Sequence, residues 1–466
     1  MEIFPFSFSS FFLGIWCSIL IGCSNPTYDS SLPDTSKFQA VRNLHLFRVI
    51  SHLHSPYSYD ACDRHGISND QVDQDCLDHI RAALCINHID MTFLTDHPDA
   101  MARYPFSRLL LTQTGDSVTN SGQNPYVNTL SGCSDGFKPQ LSVGFEGRIL
   151  ALGMKTHLGS DVIARETLYK DETIELRNQL AADVGALVII PHTESREDGL
   201  IQSLKPDGIE IENIHAITDP KIRKANLNMP PFAHIPSIIT YLLDPYKELN
   251  PDFAFLGFLE FPEIYFQKWN TYINKNGNVT GLTGNDAHEN TFPQKVADGE
   301  RFDSVRRMTR TISNYVLAAD RSVDSIKAAI KARRSYLVVE GLGTPLGLDF
   351  SVEVGQTVAN VGDTVSLSGG KAIIEVPIPS LMAVTSFGSS APVVRIELRK
   401  VLDQGQDQVV AEATDSNLRY ETQIHGAYRA HIYLTPNHLK PFLGSLADRA
   451  MIEYSWIITN HIILTP

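Results

Sequence analysis

Short apolar and β-branched runs recur through the first two thirds of the chain, and polar residues follow most of them closely. Three of these runs cover residues 46–50, 91–94 and 186–190. Runs of this length that are apolar at nearly every position are typical of strands buried on both faces, as in a parallel sheet. Longer patterns with a helical period separate them, at residues 71–86, 163–182 and 323–334. The alternation predicts βα units around a parallel sheet between residues 44 and 337.

Two segments interrupt this alternation. Residues 112–138 are rich in Ser, Asn, Gly and Thr, and a loop of that length inside a compact domain is usually functional or disordered. Residues 230–272 are instead rich in aromatic side chains, and we expect them to pack as one or two helices near the rim of the sheet.

The pattern changes again after residues 341–345. Beyond this point short alternating runs recur between turn signals, at residues 348–352, 372–376, 394–398 and 428–433. Such spacing predicts an antiparallel β-sandwich over residues 345–466. No cluster of metal-ligand residue types occurs in this part of the sequence, so we assign it no catalytic role.

The length and charge of the chain limit its partners. With 466 residues it is long enough for two or three domains. A formal net charge of -14 argues against a nucleic-acid backbone as the main partner, since no basic stripe offsets it and no nucleic-acid-binding surface is evident. The acidic excess does not exclude a small phosphorylated substrate, because bound metal ions can reverse the local field.

The first 22 residues read as a secretory signal peptide, because residues 3–22 contain no charged side chain and have a strongly apolar centre. The segment ends in Leu20-Ile21-Gly22-Cys23, which resembles a bacterial lipobox with Cys23 as the lipidated residue. We expect residues 23–43 to form a tether and the exported protein to be lipid-anchored to a bacterial membrane, at the outer membrane, its periplasmic side or the cell surface. The start, Met1-Glu2, has no Lys or Arg, so an uncleaved membrane anchor is the alternative.

Four further cysteines, an even number, predict disulfides outside the cytoplasm, with three possible connectivities. They are Cys62, Cys76, Cys85 and Cys133. A bond between Cys76 and Cys85 would require the predicted helix over residues 71–86 to break, since nine residues of helix separate them by roughly 13 Å. We expect at least one disulfide to involve Cys62 or Cys133 and to tie a loop beside the site to the sheet. The alternative is four reduced, buried thiols.

Side chains suited to binding a divalent metal lie in six short segments, most of them placed directly after a predicted strand. These side chains are His52, His54 and Asp60, His97, Glu146, His157, His192, and Asp286 with His288. Residues two apart on a strand share a face, so His52 and His54 can point into one cavity, as can Asp286 and His288. The tips of successive parallel strands converge at one end of a barrel, where such folds keep their chemistry.

The motif set resembles the polymerase-and-histidinol-phosphatase (PHP) family of metal-dependent phosphoesterases over roughly residues 44–288. The matching segments are Ser51-His52-Leu53-His54 with Asp60, Thr95-Asp96-His97, Gly144-Phe145-Glu146, Pro191-His192 and Gly284-Asn285-Asp286-Ala287-His288. This resemblance implies an α/β fold, a distorted TIM-like PHP barrel over residues 44–340, followed here by the small C-terminal sandwich.

The resemblance also implies a site for two to three divalent transition-metal ions, of Zn, Mn or Fe, with Glu146, Asp286 and His192 as the catalytic centre. One ion would be held by His52, His54, Glu146 and Asp286, another by Glu146, His157 and His192, and a third by Asp60, His97 and His288. His157 is marked only by Thr156-His157-Leu158-Gly159. Asp96 would orient neighbouring groups, and Glu210 would orient a ligating imidazole from outside the metal shell. Arg148 is either a phosphate clamp or part of a surface ion pair.

The predicted function is hydrolysis of phosphate mono- or diesters, with a small phosphorylated substrate and a metal-bound hydroxide as nucleophile. Two alternatives remain open from the sequence. One is an amidohydrolase-type metal-dependent hydrolase, which also opens with two His separated by one residue. The other is a non-catalytic, metal-binding surface lipoprotein.

Overall fold

The structure is a computed structural model that describes residues 28–244, 249–382 and 391–466. The predicted signal peptide and the predicted lipidation site Cys23 lie outside these ranges. Among the residues described, no helix has the length and apolar character needed to cross a membrane.

The first part of the described chain runs from a short N-terminal arm to residue 284. Its strands are β1 (His45–Leu53), β2 (Ile67–Ser68), β3 (Gln71–Val72), β4 (Met91–Leu94), β5 (Ser117–Ser121), β6 (Asn124–Thr129), β7 (Gln140–Val143), β8 (Phe145–Glu146), β9 (Leu150–Leu152), β10 (Leu187–Ile190), β11 (Gly208–Asn213) and β12 (Thr280–Gly284). Its helices are α1 (Gln74–Ile86), α2 (Pro98–Met101), α3 (Phe106–Leu109), α4 (Val162–Leu168), α5 (Ile174–Asp183), α6 (Asp198–Leu204), α7 (Ile214–Thr218), α8 (Pro220–Ala225), α9 (Ile235–Leu242) and α10 (Glu263–Asn276). Short 3₁₀ segments cover Thr35–Lys37, Cys62–Arg64, Thr193–Ser195 and Pro251–Phe258.

The second part is richer in strands. They are β13 (Ser313–Ala318), β14 (Ser335–Val338), β15 (Pro345–Leu346), β16 (Ser351–Val354), β17 (Thr357–Asn360), β18 (Thr364–Ser366), β19 (Ala372–Val376), β20 (Ser380–Leu381), β21 (Val393–Val401), β22 (Asp407–Thr414), β23 (Leu418–Thr422), β24 (Gly426–Thr435), β25 (Tyr454–Thr459) and β26 (Ile462–Thr465). The helices are α11 (Val305–Thr311), α12 (Val323–Lys331) and α13 (Ala447–Ala450), with 3₁₀ segments at Glu340–Leu342, Asp403–Gly405, Asn437–Phe442 and Gly444–Leu446.

The apolar runs of the first part form buried strands, as their pattern predicts. β4 and β10 are buried at every position, and β1 is buried over its last six residues. β4 lies between β1 and β7 with both neighbours parallel to it, and β10, β11 and β12 also run parallel to one another. These two parallel groups place several strand ends, and the polar residues that follow them, on the same side of the molecule.

The predicted distorted TIM-like barrel is corrected by the sheet topology, which does not close. Most strands of the first part fall into two mixed sheets, because β13 pairs antiparallel with β1 and β9 pairs antiparallel with β8 and β10. Short stretches of contact join these two sheets: an isolated bridge links Leu53 to Ala287, Asp286 N donates to His52 O at 3.0 Å, and Met154 N donates to Val143 O at 2.8 Å. The result is a mixed α/β fold rather than a continuous ring of parallel strands.

The predicted separate C-terminal β-sandwich is also not confirmed. β25 pairs antiparallel with β14, so the last strands extend the sheet that contains β1 and β4. Asn460 reinforces the junction, since its Nδ2 donates to Ser335 O of β14 at 3.0 Å and to Ser335 Oγ at 2.9 Å. An unpaired strand edge exposes backbone polar groups, and β25 covers that edge of β14. A smaller four-stranded sheet, in the order β17-β16-β19-β23, accompanies this extension.

Two predictions of local secondary structure differ from the structure in detail. The loop predicted over residues 112–138 contains the antiparallel hairpin of β5 and β6, which continues the large sheet beyond β7. The helix predicted over residues 163–182 is two helices, α4 and α5, and a new N-cap at Thr173 starts the second. The aromatic segment forms α9, the 3₁₀ segment Pro251–Phe258 and α10, in agreement with the prediction of helices there.

Candidate metal centre

The predicted ligands come from strand ends in both sheets. His52 is the last but one residue of β1, and His54 follows that strand. Glu146 ends β8, His192 lies two residues after β10, and Asp286 lies two residues after β12. The structure therefore brings together segments that are far apart in sequence, as the strand-end argument predicts.

The first group of ligand types is almost completely buried. It consists of His52, His54, Glu146 and Asp286, whose nearest ligand atoms all lie within 4.8 Å of one another. Asp286 Oδ1 is 3.3 Å from His52 Nε2 and 3.2 Å from His54 Nε2. Glu146 Oε2 is 3.5 Å and 3.3 Å from the same two nitrogens. Two imidazoles and two carboxylates thus face one small volume, a donor set that suits Zn, Mn or Fe.

A second group lies beside the first and shares His54 with it. Asp60, His97 and His288 complete this group. Asp60 Oδ2 is 3.0 Å from His97 Nε2 and 3.2 Å from His288 Nε2. The side chains of His97 and Asp60 are 21% and 17% exposed, so this end of the centre opens to solvent.

His192 approaches from the opposite side of Glu146. Its Nε2 is 2.9 Å from Glu146 Oε1 and 3.5 Å from Asp286 Oδ2. Because Glu146 Oε2 faces His52 and His54, the two oxygens of this carboxylate point to different sets of imidazoles. That is the position expected of a carboxylate shared by two metal ions.

Hydrogen bonds among these side chains cannot satisfy all the atoms that face inward. His52 Nδ1 lies 2.7 Å from Glu210 Oε1, and an ionised carboxylate only accepts, so Nδ1 carries a proton. His52 Nε2 then faces His54 Nε2 at 3.2 Å, and the two nitrogens cannot both carry protons there. Asp286 Oδ1 is buried without a hydrogen-bond partner among the described residues, although three imidazole nitrogens lie within 3.3 Å of it. Several electron-pair donors therefore converge on one point, which fits a bound cation.

The electrostatics of the cavity favour positive charge at its centre. Burial by itself would lower the pKa of His54, but the carboxylates of Asp286 and Glu146 outweigh it and raise this pKa to about 10. Burial would raise the pKa of Asp286, yet the neighbouring imidazoles of His52 and His288 hold it well below its ordinary value. The centre thus stabilises either protons on its imidazoles or bound cations in their place.

Glu210 orients the first imidazole, as the sequence predicts for a residue outside the metal shell. Its Oε2 accepts from the backbone N–H of His192 at 2.8 Å and from Asn213 Nδ2 at 3.2 Å, while Oε1 faces His52. A Cβ atom at Gly284 would lie 2.2 Å from Glu210 Oε1. The glycine before the last motif therefore leaves the room that this carboxylate needs to reach the imidazole.

Two polar residues fix the turn after β1. Asp96 accepts from the Ser55 backbone N–H at 2.6 Å and from the Ser55 hydroxyl at 2.7 Å, which agrees with its predicted orienting role. Ser58 Oγ lies 2.9 Å from His54 Nδ1 and donates to Asp60 Oδ1 at 2.9 Å. Ser58 thereby links a ligand type of the first group to one of the second, a role that the sequence spacing alone did not indicate.

Sequence reasoning also missed the support behind His192. Glu194 Oε1 lies 3.5 Å from His192 Nδ1, and Glu194 Oε2 accepts from the Tyr265 hydroxyl at 2.9 Å. Tyr265 lies on α10, 71 residues beyond Glu194 in the sequence. The position of Glu194, two residues after His192, could have indicated this support. No local sequence pattern marked Tyr265.

The backbone is strained where two of these ligand types are held. His192 and Asp286 adopt left-handed conformations, with φ of 48° and 52°. Residues other than glycine pay a steric penalty in this region, and such conformations concentrate at functional sites. The strain is compensated here by the contacts that both side chains make with Glu146 and its neighbours.

His157 does not join this centre. Its Nε2 lies 2.8 Å from Tyr104 O and its Nδ1 lies 3.1 Å from the Tyr169 hydroxyl, so both ring nitrogens have partners elsewhere. Burial lowers the pKa of His157 to about 4 and keeps the ring neutral. His157 is therefore left out of the proposed ligand set. Arg148 forms an exposed ion pair with Glu172 at 3.0 Å, the second of its two predicted roles.

Cys62 and Cys133, the cysteines predicted to anchor a loop beside the site, both form disulfides. Cys62 pairs with Cys76 of α1, and Cys85 pairs with Cys133. Beside the first disulfide, Cys62 N donates to His288 O at 2.8 Å, and Asp63 N donates to Glu289 O. The Cys62–Cys76 bond therefore anchors to α1 a turn that holds the backbone of a predicted ligand.

Comparisons with known proteins give limited similarity. No protein-family model and no curated protein matches the chain. Among solved structures, the chain is similar to a two-domain protein from Bacteroides vulgatus containing a predicted PHP-like metal-dependent phosphoesterase, with 12% identity and a TM-score of 0.33 over 91% of this chain and 98% of that one. It is also similar to PsfC from Pseudomonas syringae, with 12% identity and a TM-score of 0.31 over 58% of this chain and 82% of that one. The name of the first structure contains the family that the sequence motifs resemble. Similarities this weak carry no weight for function, which is inferred below from the side chains.

Removing the Cys62–Cys76 bond should weaken metal binding. We expect the double variant Cys62→Ser, Cys76→Ser to bind Zn²⁺ or Mn²⁺ about 10-fold less tightly, because the turn that holds His288 gains freedom. Titration with a competing chelator measures this affinity. The matched control, Cys85→Ser with Cys133→Ser, should stay within about threefold of the unchanged protein, since its crosslink does not contact the ligand turn. Equal affinities in both double variants would contradict the expectation.

Proposed function

We propose that this chain is a metal-dependent hydrolase of phosphate mono- or diesters. The observation that carries the proposal is the convergence of five imidazoles and three carboxylates, from the ends of strands in both sheets, on a centre that hydrogen bonds cannot satisfy. These residues are His52, His54, Asp60, His97, Glu146, His192, Asp286 and His288. This donor set is compatible with a metal-dependent hydrolase.

The side chains fit at least two divalent ions. His52, His54, Glu146 and Asp286 would hold one, and Asp60, His97 and His288 would hold another beside it. His192 and Glu146 Oε1 offer ligands on the remaining side. The unpartnered Asp286 Oδ1 and the unpartnered His288 Nδ1 are buried polar atoms among the described residues, and such atoms are costly unless a partner satisfies them.

Bound divalent ions would supply Lewis acidity, polarising a phosphoryl oxygen and making a water molecule nucleophilic at neutral pH. The protein's own groups prepare the site for that chemistry. Glu210 holds the proton on His52 Nδ1 and so keeps Nε2 free to act as a ligand. The partly exposed His97, Asp60 and His192 face the side from which a substrate would enter. The buried His52 and Asp286 exclude water from the inner side.

Metal content and phosphoester hydrolysis test this proposal together. We expect about two to three transition-metal ions per chain and hydrolysis of p-nitrophenyl phosphate or bis(p-nitrophenyl) phosphate that EDTA abolishes. His52→Ala and Asp286→Ala should each lower metal occupancy and reduce turnover by about 100-fold or more, since each removes a ligand. Mass spectrometry of bound metals and a colorimetric assay give the two readouts.

His157→Ala is the matched control, because it removes an imidazole that lies outside the centre, and it should keep both metal and activity. Native protein that binds no metal would contradict the site itself. Protein that binds metal but hydrolyses amide rather than phosphoester substrates would favour the amidohydrolase alternative. Metal-loaded protein inactive on both classes would favour a non-catalytic metal-binding role.

We also propose that the protein is exported and held on a bacterial membrane by lipid on Cys23. The two disulfides support an oxidising compartment, where such bonds persist. The apolar segment before Cys23 and the lipobox-like residues support cleavage at that position.

Replacing Cys23 should release the protein from the membrane. We expect Cys23→Ser to prevent lipidation, because the modified thiol is lost, and stable anchoring needs more than one acyl chain. Membrane fractionation and intact-mass measurement follow the change, with Cys85→Ser as a control that keeps the anchor. A Cys23→Ser protein that stays membrane-bound at unchanged mass would show an uncleaved helical anchor instead.

A further inference from the structure

The outer side of α9 and of the turn before it is apolar. Phe232, Ile239 and Leu243 are 64%, 46% and 69% exposed, and Ala233 and Pro236 are exposed between them. Residues spaced three or four apart lie on one side of a helix, and we call these five residues the α9 face. No Lys, Arg, Asp or Glu occurs from residue 225 to residue 243, although such residues make up 20% of the chain. The segment therefore brings no charge of its own to this face.

The opposite side of α9 packs against the 3₁₀ segment Pro251–Phe258. Ile238 and Tyr241 of the helix are buried. A Cβ atom at Gly257 would lie 2.8 Å from Ser237 Cβ, so the helix approaches this segment as closely as a glycine permits. The core thus fixes the position of α9 and leaves the α9 face outside.

The N-terminal arm meets the domain on the same 3₁₀ segment. The ring of Tyr28 packs against Phe253 of that segment and against Phe442, with centroid distances of 4.7 Å and 5.1 Å. Two residues further on, Ser30 O accepts from Arg310 Nε at 2.8 Å. These contacts fix the place where the chain leaves the folded domain toward its N-terminus.

The C-terminal end of α9 lies beside that place. Asp244, two residues after the helix, accepts from Leu249 N through Oδ2 at 2.9 Å. Asn250 N then donates to Phe442 O at 3.2 Å, and the ring of Phe442 packs on Tyr28. A short series of contacts therefore joins the end of α9 to the first contact of the N-terminal arm.

The distance from this contact to the proposed lipid is short. Cys23, the proposed lipidation site, precedes Tyr28 by five residues. An extended chain spans about 3.5 Å per residue, so an acylated Cys23 lies within about 17 Å of Tyr28. The eight residues of α9 are themselves about 12 Å long. A connection little longer than this helix brings the surface around Tyr28, and α9 with it, against the bilayer.

We propose that the α9 face docks into the surface of the lipid bilayer that holds the acylated Cys23. This inference rests on the proposed lipidation and adds to it the side of the protein that faces the membrane. Exposed aromatic and aliphatic side chains enter the boundary between headgroups and acyl chains favourably. The net charge of -14 gives the protein no long-range attraction to an anionic bilayer, so the short anchor brings the α9 face to the lipid.

Tryptophan fluorescence tests this docking on the full, acylated chain. The protein is reconstituted into vesicles of phosphatidylcholine that carries bromine on its acyl chains, where bromine quenches indole emission on contact. The emission added by Leu243→Trp should fall by about half, because the new indole enters the acyl boundary. Trp269 and Trp456 are buried in the protein and give a constant background.

Ile163→Trp is the matched control, because it changes an apolar side chain of α4 that is 78% exposed. The N-terminal arm contacts His88, three residues before β4, through Leu32 O. α4 instead packs against α2, which follows the other end of β4. The indole of Ile163→Trp should therefore keep its emission in brominated vesicles.

Intact mass separates this inference from the anchor proposal. A mature mass without acyl chains would refute the anchor and the docking with it. Acylated protein in which neither new indole is quenched, or only that of Ile163→Trp, would overturn the docking alone. A detergent-solubilised dimer that Leu243→Asp separates into monomers would assign the α9 face to a second copy of the chain, and this result would also overturn the docking.

Discussion

The arrangement of this molecule depends on buried electron-pair donors that converge on one point, where protons or bound cations must supply positive charge. His52 Nε2, His54 Nε2 and Asp286 Oδ1 meet within 3.3 Å, and Glu146 closes the group from another strand. In an interior of low dielectric such an arrangement is unfavourable unless positive charge occupies its centre. A bound cation resolves this conflict, and the surrounding contacts orient the donors for it.

The fold serves that centre by supplying rigid strand ends and by tolerating local strain. Left-handed conformations at His192 and Asp286 each cost of order 1–3 kcal/mol, and they persist because packing and hydrogen bonds determine the backbone on both sides. Glu210 connects the two sheets. It lies on β11, accepts from His192 N and Asn213, and fixes the proton on the ring of His52, which lies on β1. The Cys62–Cys76 bond adds a covalent anchor on the remaining side.

The sequence predicted which side chains cluster better than it predicted the architecture around them. A ligand at a strand end, such as His54 or Asp286, has a local signature, because an apolar run precedes a pair of ligand types two residues apart. His157 had no such signature, and both of its ring nitrogens have partners elsewhere. The residues of a single strand do not determine its direction or its partner in the sheet. Neither the antiparallel pairing of β9 nor the pairing of β25 with β14 could therefore be predicted.

Anomalous diffraction from crystals of the metal-loaded protein, recorded at the absorption edge of the metal, tests the central claim most directly. The structure predicts one peak among His52, His54, Glu146 and Asp286, and a second beside it among His54, Asp60, His97 and His288. No peak should occur at His157, whose nitrogens face Tyr104 and Tyr169. An absence of peaks at the centre, or metal bound only elsewhere on the chain, would contradict the account.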